Sequence, residues 1–211
     1  MKLRHGLLLL WAFAFRAMAQ GDTIWVDHQA GMDLRDGLYA DVNALRYNTP
    51  SIPIERLRDD QGLPVTDIRS RIGKLYWQPD SGGRVAIDLR RIWGFCQNDV
   101  VYVRAGDGYY RIGLMGSLSH LVYQQSYRDW DPYMYRYGPV TRTVMEQQLI
   151  DMATGVMLPF NASGMERALR NDAVLHEEFM ALPARQRNAP EALFRFLRLY
   201  NELHPLRFPQ W

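Results

Sequence analysis

The sequence predicts an α+β protein: a curved antiparallel β-sheet or small barrel, wound as a meander and followed by C-terminal helices. Three observations carry this. Between residues 72 and 160, β-branched and aromatic runs alternate with short turn clusters. After residue 161 the apolar residues recur at three- and four-residue spacing, the period of a helix. Strands first and helices last point to segregated layers, not to a parallel βαβ sheet.

The elements follow in chain order. Residues 23–26 read as a short strand. Gly37-Leu38-Tyr39 leads into a helical turn, with Asp41 as its N-cap and Val42, Leu45 and Arg46 at helical spacing. Asn48-Thr49-Pro50 ends that turn, and Pro53 keeps the chain extended. Residues 58–64 form a surface loop. Strands are expected at 72–77 and 84–89, separated by Gln78-Pro79-Asp80-Ser81-Gly82-Gly83. Residues 91–96 continue extended. The turns Gln97-Asn98-Asp99 and Ala105-Gly106-Asp107-Gly108 then separate strands at 100–103 and 109–112. Further strands are expected at 118–123, 144–152 and 156–160, giving about five to seven in the sheet. Asn161-Ala162-Ser163-Gly164 breaks the pattern, and helices follow at 165–170, 173–182 and 190–203. Asp172 can cap the second, and Pro190 opens the third, where a missing N–H is harmless. Leu193, Phe196, Leu197 and Tyr200 share one face of that third helix. Such a stripe is core-facing, or else a groove-binding face for a partner. Pro205 and Pro209 make the tail extended.

Three segments result. Residues 1–19 have the parts of a cleavable secretory signal: Lys2 and Arg4 in a basic start, the apolar run Leu7–Phe15, and Ala17-Met18-Ala19 before Gln20. The apolar run has 9 residues, far short of the ~20 that span a membrane. Residues 20–160 form the mainly antiparallel β region, and 161–211 a helical segment packed on the same single domain. Export, to the periplasm or beyond the cell, is the expected location, with no membrane span once the signal is removed.

Cleavage removes three of the 25 basic residues and none of the 23 acidic ones, leaving 22 against 23 and a net charge of −1. A nearly neutral chain offers no whole-molecule attraction for nucleic acid. One cysteine, Cys96, excludes an internal disulfide, zinc ribbons and CxxC redox chemistry. Flanked by Ile92-Trp93-Gly94-Phe95, it reads as a small buried apolar residue. No phosphate-cradling glycine motif and no G-x-S-x-G elbow occurs. Ser119 and His120 are strand neighbours and point to opposite faces, so they do not form a nucleophile–base pair. His28, His120, His176 and His204 lack metal-ligand spacing; Met180 stands where a zincin motif starting at His176 would need its second histidine. No metal, cofactor or catalytic residue is assigned.

One stretch stands out, Tyr-Gln-Gln-Ser-Tyr-Arg-Asp-Trp-Asp-Pro-Tyr-Met-Tyr-Arg-Tyr from Tyr123 to Tyr137. Tyr133, Tyr135 and Tyr137 alternate, so a strand would put them on one face, with Trp130 and Arg136 close by in sequence. Rigid rings with polar tips give large contact area at small entropic cost, as recognition surfaces do. Trp130, Tyr133, Tyr135, Tyr137 and Arg136 are therefore the candidate ligand-binding residues, for a glycan, a peptide or an envelope protein. The competing reading packs the rings onto the protein's own body. Asp129 and Asp131 flank Trp130 and raise the alternative of a hydrolase acting on envelope glycans or peptides. The reading preferred here is a non-enzymatic binding or structural module. A third reading uses the face of Leu193, Phe196 and Tyr200 to dock a partner.

Gly37-Leu38-Tyr39, Ile92-Trp93-Gly94-Phe95-Cys96, Tyr109-Tyr110-Arg111-Ile112, Ile150-Asp151-Met152-Ala153-Thr154-Gly155 and Tyr200-Asn201-Glu202-Leu203-His204-Pro205, in this order, resemble a family of uncharacterised exported bacterial proteins. The resemblance spans most of the chain after the signal. It implies an envelope location and no activity, cofactor or catalytic residue. It also implies that Asn161-Ala162-Ser163 is not an ordinary glycosylation acceptor.

Overall fold

The structure, a computed structural model, describes residues 23–29, 31–129 and 140–210. Its centre is an open eight-stranded antiparallel sheet. The strands are β2 (Gly37–Tyr39), β3 (Ile52–Pro53), β7 (Gly94–Gln97), β8 (Val100–Ala105), β9 (Gly108–Leu114), β10 (Leu118–Asp129), β11 (Val140–Asp151) and β12 (Met157–Pro159). Their spatial order is β12-β11-β10-β9-β8-β7-β2-β3, so β7 to β12 are an uninterrupted meander. The edges β12 and β3 do not meet, and the barrel alternative falls. A three-stranded sheet joins β4 (Leu57–Arg58), β5 (Tyr76–Trp77) and β6 (Val85–Ala86), and a two-stranded one joins β1 (Trp25–Asp27) to β13 (Arg207–Pro209).

Both faces of the large sheet are covered, which is why its strands read as mixed apolar runs. One face carries Tyr39, Cys96, Val101, Val103, Ile112, Leu121 and Ile150, packed with Val42 and Leu45 of α1 (Val42–Arg46) and Leu206 and Phe208 of the tail. The opposite face divides. Leu38 and Phe95 meet the small sheet through Leu57, Ile68 and Leu75. Leu118, Leu149 and Leu158 meet the C-terminal helices α3 (Ala162–Ala168), α4 (Ala173–Ala181) and α6 (Pro190–Leu203). Leu193, Phe196 and Leu197 are buried there within the chain. The partner-docking reading of that helix face is thereby overturned, because the chain's own core already covers it.

The caps do what their chemistry dictates. Asp41 Oδ1 accepts from Ala44 N–H at 2.8 Å, and Asp172 Oδ1 from Leu175 N–H at 3.0 Å. Asn161 Oδ1 accepts from Gly164 N–H at 3.0 Å and so starts α3. Gly164 lies so close to Pro159 that a Cβ there would overlap its carbonyl oxygen.

Sequence pattern misleads in residues 68–91. The expected strand at 72–77 shrinks to Tyr76–Trp77, preceded by a helical turn α2 (Ile68–Arg71) that Asp67 caps through Ser70 N–H. Gly73, at φ +97°, breaks the chain between them. The strand at 84–89 shrinks to Val85–Ala86, because Asp88 accepts from Arg90 N–H and winds 89–91 into a 3₁₀ turn. Local side-chain hydrogen bonds here outcompete ladder formation. A four-residue helix, α5 (Ala184–Arg187), also precedes α6.

Cys96 is fully buried, and burial pushes its thiol up to about 12, with Asp36 and Asp99 adding to the shift. It is a core residue, as the sequence predicts. Among the described residues no helix is long and apolar enough to cross a membrane.

Two predictions test this packing. Phe196→Ala should cost about 3–5 kcal/mol in urea denaturation; a loss under about 1 kcal/mol would mean the helical layer is not part of the cooperative unit. The second concerns His120, which is 5% exposed and clamped between Phe160 and Phe194. Burial lowers its pKa below 6.5, against a smaller opposing effect of the Gln147 hydrogen bond, and burial lowers His28 as well. The unfolded chain then binds more protons than the folded one below pH 6.5, so stability should fall as pH falls through that value. His120→Gln should flatten this acid limb in urea midpoints taken on either side of pH 6.5; an unchanged limb would assign it elsewhere.

Candidate functional site

The candidate site is the far end of the β10–β11 hairpin. The two strands pair in unbroken register from Leu118↔Asp151 to Asp129↔Val140. At about 3.4 Å per residue this ribbon is roughly 37 Å long. Its root is flanked on both sides. β9 pairs with β10 only at His120 and Leu121, where a bulge shifts the register, and β12 pairs with β11 at Gln148–Ile150. A bulge raises local twist and ends pairing. From Val122↔Gln147 outward, no third strand among the described residues pairs with the ribbon.

Side-chain contacts buttress the next stretch. Tyr123 is 7% exposed; its ring lies 5.6 Å from that of Tyr110, and its hydroxyl accepts from Gln148 Nε2 at 3.1 Å. Tyr110 Oη donates to the Gln124 carbonyl at 3.0 Å. Gln125 leans on the β8–β9 turn, filling the space a side chain at Gly106 would need. Beyond this, pairs reach across the two strands. Ser126 and Thr143 hydroxyls lie 3.3 Å apart, and Tyr127 Oη donates to Glu146 Oε1 at 3.2 Å. Val122, Tyr127, Val144 and Met145 are exposed there.

The aromatic stretch is therefore divided. Tyr123 belongs to the core, as the packing reading required, whereas Tyr127 is 48% exposed. Trp130, Asp131, Tyr133, Tyr135, Arg136 and Tyr137 lie outside the described residues. Asp129 ends β10 opposite Val140.

The remaining candidates are structural. Ser119 Oγ donates to the Gly116 carbonyl at 2.9 Å, while His120 Nε2 faces Gln147 Oε1 at 3.1 Å on the other side of the sheet. Ser119 and His120 therefore do not form a pair of nucleophile and base. Among the described residues no group of three or more His, Cys, Asp or Glu could hold a metal ion.

Sequence reading missed the end of α6. Asn201 grips β10 by both backbone groups of Leu118, with its Oδ1 accepting from the N–H and its Nδ2 donating to the carbonyl, each at 2.8 Å. His204 Nε2 lies 2.8 Å from Asp172 Oδ2, tying the end of α6 to the cap of α4. Asp172 stays below the usual carboxylate range because of the Leu175 N–H and then His204. The only hint in the sequence was a lone histidine near a helix end, which reads as a surface or capping residue.

The ribbon's division predicts unequal costs. Tyr123→Ala should destabilise by about 3 kcal/mol, and Tyr127→Ala by less than about 1 kcal/mol, in parallel urea titrations. Equal losses would show that the buttressed and free parts of the ribbon are not distinct. No protein-family model, no curated protein and no solved structure matches this chain.

Proposed function

We propose that this chain is an exported, non-enzymatic binding module of the envelope or the extracellular space. Its ribbon carries the aromatic segment of Trp130, Tyr133, Tyr135, Arg136 and Tyr137 to a glycan, peptide or envelope protein. One observation supports this most: the β10–β11 pairing runs on, in register, past the last strand that flanks it, and the aromatic segment follows directly. A two-stranded ribbon without a third strand is marginal in water. A chain that only needed a core would gain nothing from continuing it.

The N-terminal signal pattern and the resemblance to exported bacterial proteins agree with a role outside the cytoplasm. A hydrolase using Asp129 and Asp131 is the competing reading. An Asp129→Asn, Asp131→Asn double variant that abolished turnover of a glycan or peptide would establish it and displace the binding module.

The direct test is the melting temperature of the chain from Gln20 onward, alone and with glycans, peptidoglycan fragments, peptides or divalent metals. A ligand at one hundred times its dissociation constant adds about 2.7 kcal/mol to stability. A rise with a glycan or peptide, lost in Trp130→Ala while the unliganded melting point holds, is the expected result. Collapse of the unliganded melting point in Trp130→Ala and Tyr135→Ala would make the segment part of the core and end this reading.

A further inference from the structure

A cleft of about 190 Å³ opens where the end of α6, the end of α1 and the root of the β10–β11 hairpin meet. Arg46, Ser117, Asp151, Tyr200, His204 and Arg207 line it. The volume is roughly the liquid share of six water molecules. It suits a small organic molecule and not a stretch of polymer.

The polar groups around it fall into two sets. The acids are satisfied by the protein itself. Asp151 accepts from Ala153 N–H and from Thr154 Oγ1, each at 2.8 Å. Asp172, which holds His204, accepts from Leu175 N–H at 3.0 Å and lies 2.8 Å from His204 Nε2. Arg207 directs its Nε to Asp27 at 2.8 Å. The other donors have no such partner. Arg46 Nε is buried without a hydrogen bond, and among the described residues neither the Tyr200 hydroxyl nor the Ser117 hydroxyl meets an acceptor. Tyr200 is held in place by its ring contact with His204, at 4.5 Å between centroids.

A buried donor left without an acceptor costs about 1–3 kcal/mol, and more when charged. The unpartnered donors make this side of the cleft complementary to a ligand rich in acceptors, and Asp151 opposite them limits how much negative charge it admits. The planar guanidinium of arginine matches carboxylate and phosphate oxygens two at a time.

We propose that this cleft binds a small organic anion bearing a carboxylate or phosphate group, with Arg46 on the oxyanion and the Tyr200 and Ser117 hydroxyls donating to it. The site stands apart from the ribbon's outer half, so its fate does not depend on what the aromatic segment binds. Because Ser117 directly precedes β10 and Asp151 ends β11, the anion would sit at the ribbon's base.

Calorimetric titration of the purified protein with acetate, succinate, citrate, inorganic phosphate and glycerol phosphate tests this, with succinamide as the uncharged control. One of the anions should bind at one site per chain, and succinamide should not. Binding by carboxylates alone or by phosphates alone identifies the head group. Arg46→Gln should weaken the bound anion about tenfold or more, equal to about 1.4 kcal/mol, and Tyr200→Phe should weaken it by a smaller factor. The unliganded melting point of Arg46→Gln should hold or rise, since the buried, unbonded Nε is removed. Should Arg46→Gln fail to fold, Tyr200→Phe carries the test alone. No heat from any anion at about 10 mM, weaker than any useful affinity, would overturn the proposal. So would equal binding of succinamide, or an affinity unchanged in both variants.

Discussion

The constraint on which the molecule depends is the alternation of side chains along β10. Leu118 and His120 point into the helical core, while Leu121 and Tyr123 point into the core beneath α1 and the tail. Successive residues of one strand thus belong to different apolar clusters. A shift of one residue would exchange these faces, placing His120 among the aliphatic side chains around Leu121 and Leu121 among the rings of Phe160 and Phe194. Twelve consecutive pairs with β11 make that shift expensive, because Leu149 and Ile150 repeat the same division on the partner strand. The register of this hairpin therefore fixes which layer covers which face.

The C-terminal segment is fastened to that register at several points. Asn201 replaces a strand neighbour at Leu118, bonding both of its backbone groups where β9 does not reach. The geometry is close enough that a side chain at Gly116 would strike the Asn201 amide. Beyond α6, Leu206 and Phe208 cross to the other core, and β13 pairs with β1. The last fifty residues consequently touch both faces of the sheet, one through helices and one through an extended tail.

Much of this was legible in the sequence, and the reasons are physical. The boundaries of α6 follow from a proline at its first turn and an apolar stripe with one period. The meander from β7 to β12 follows from alternating β-branched residues between Gly- and Asn-containing turns. Failure came where the signal was local hydrogen bonding. Asp67 and Asp88 bend the chain into short turns that no periodicity reports. The extra length of β10 and β11 was hidden for another reason. Beyond the contacts of Tyr123, Gln124 and Gln125 their outer residues are exposed, so Ser126, Arg128, Thr141 and Thr143 follow one another without a buried side to mark the strand. The cleft at the end of α6 was invisible because its residues come from segments far apart in the chain, as Arg46, Ser117 and His204 show.

The unsupported part of the ribbon also argues for its own purpose. It leaves Val122, Tyr127, Val144 and Met145 exposed and presents two strand edges that no described strand pairs with. Open edges invite pairing with other chains, and proteins blunt them with charge, twist or short strands. Here the polar Gln124, Ser126, Thr141 and Thr143 and the charged Arg128 and Glu146 interrupt the apolar positions, while the bulge between His120 and Leu121 breaks the regular pairing of β10 with β9. These devices moderate the hazard without removing it; shortening the hairpin would have removed it altogether. Tyr110 and Tyr123 instead brace the ribbon at its base, which stiffens the element that leads toward residues 130–139. A brace matters only if the position of what lies beyond it matters, and that is the strongest physical reason to look for the protein's partner there.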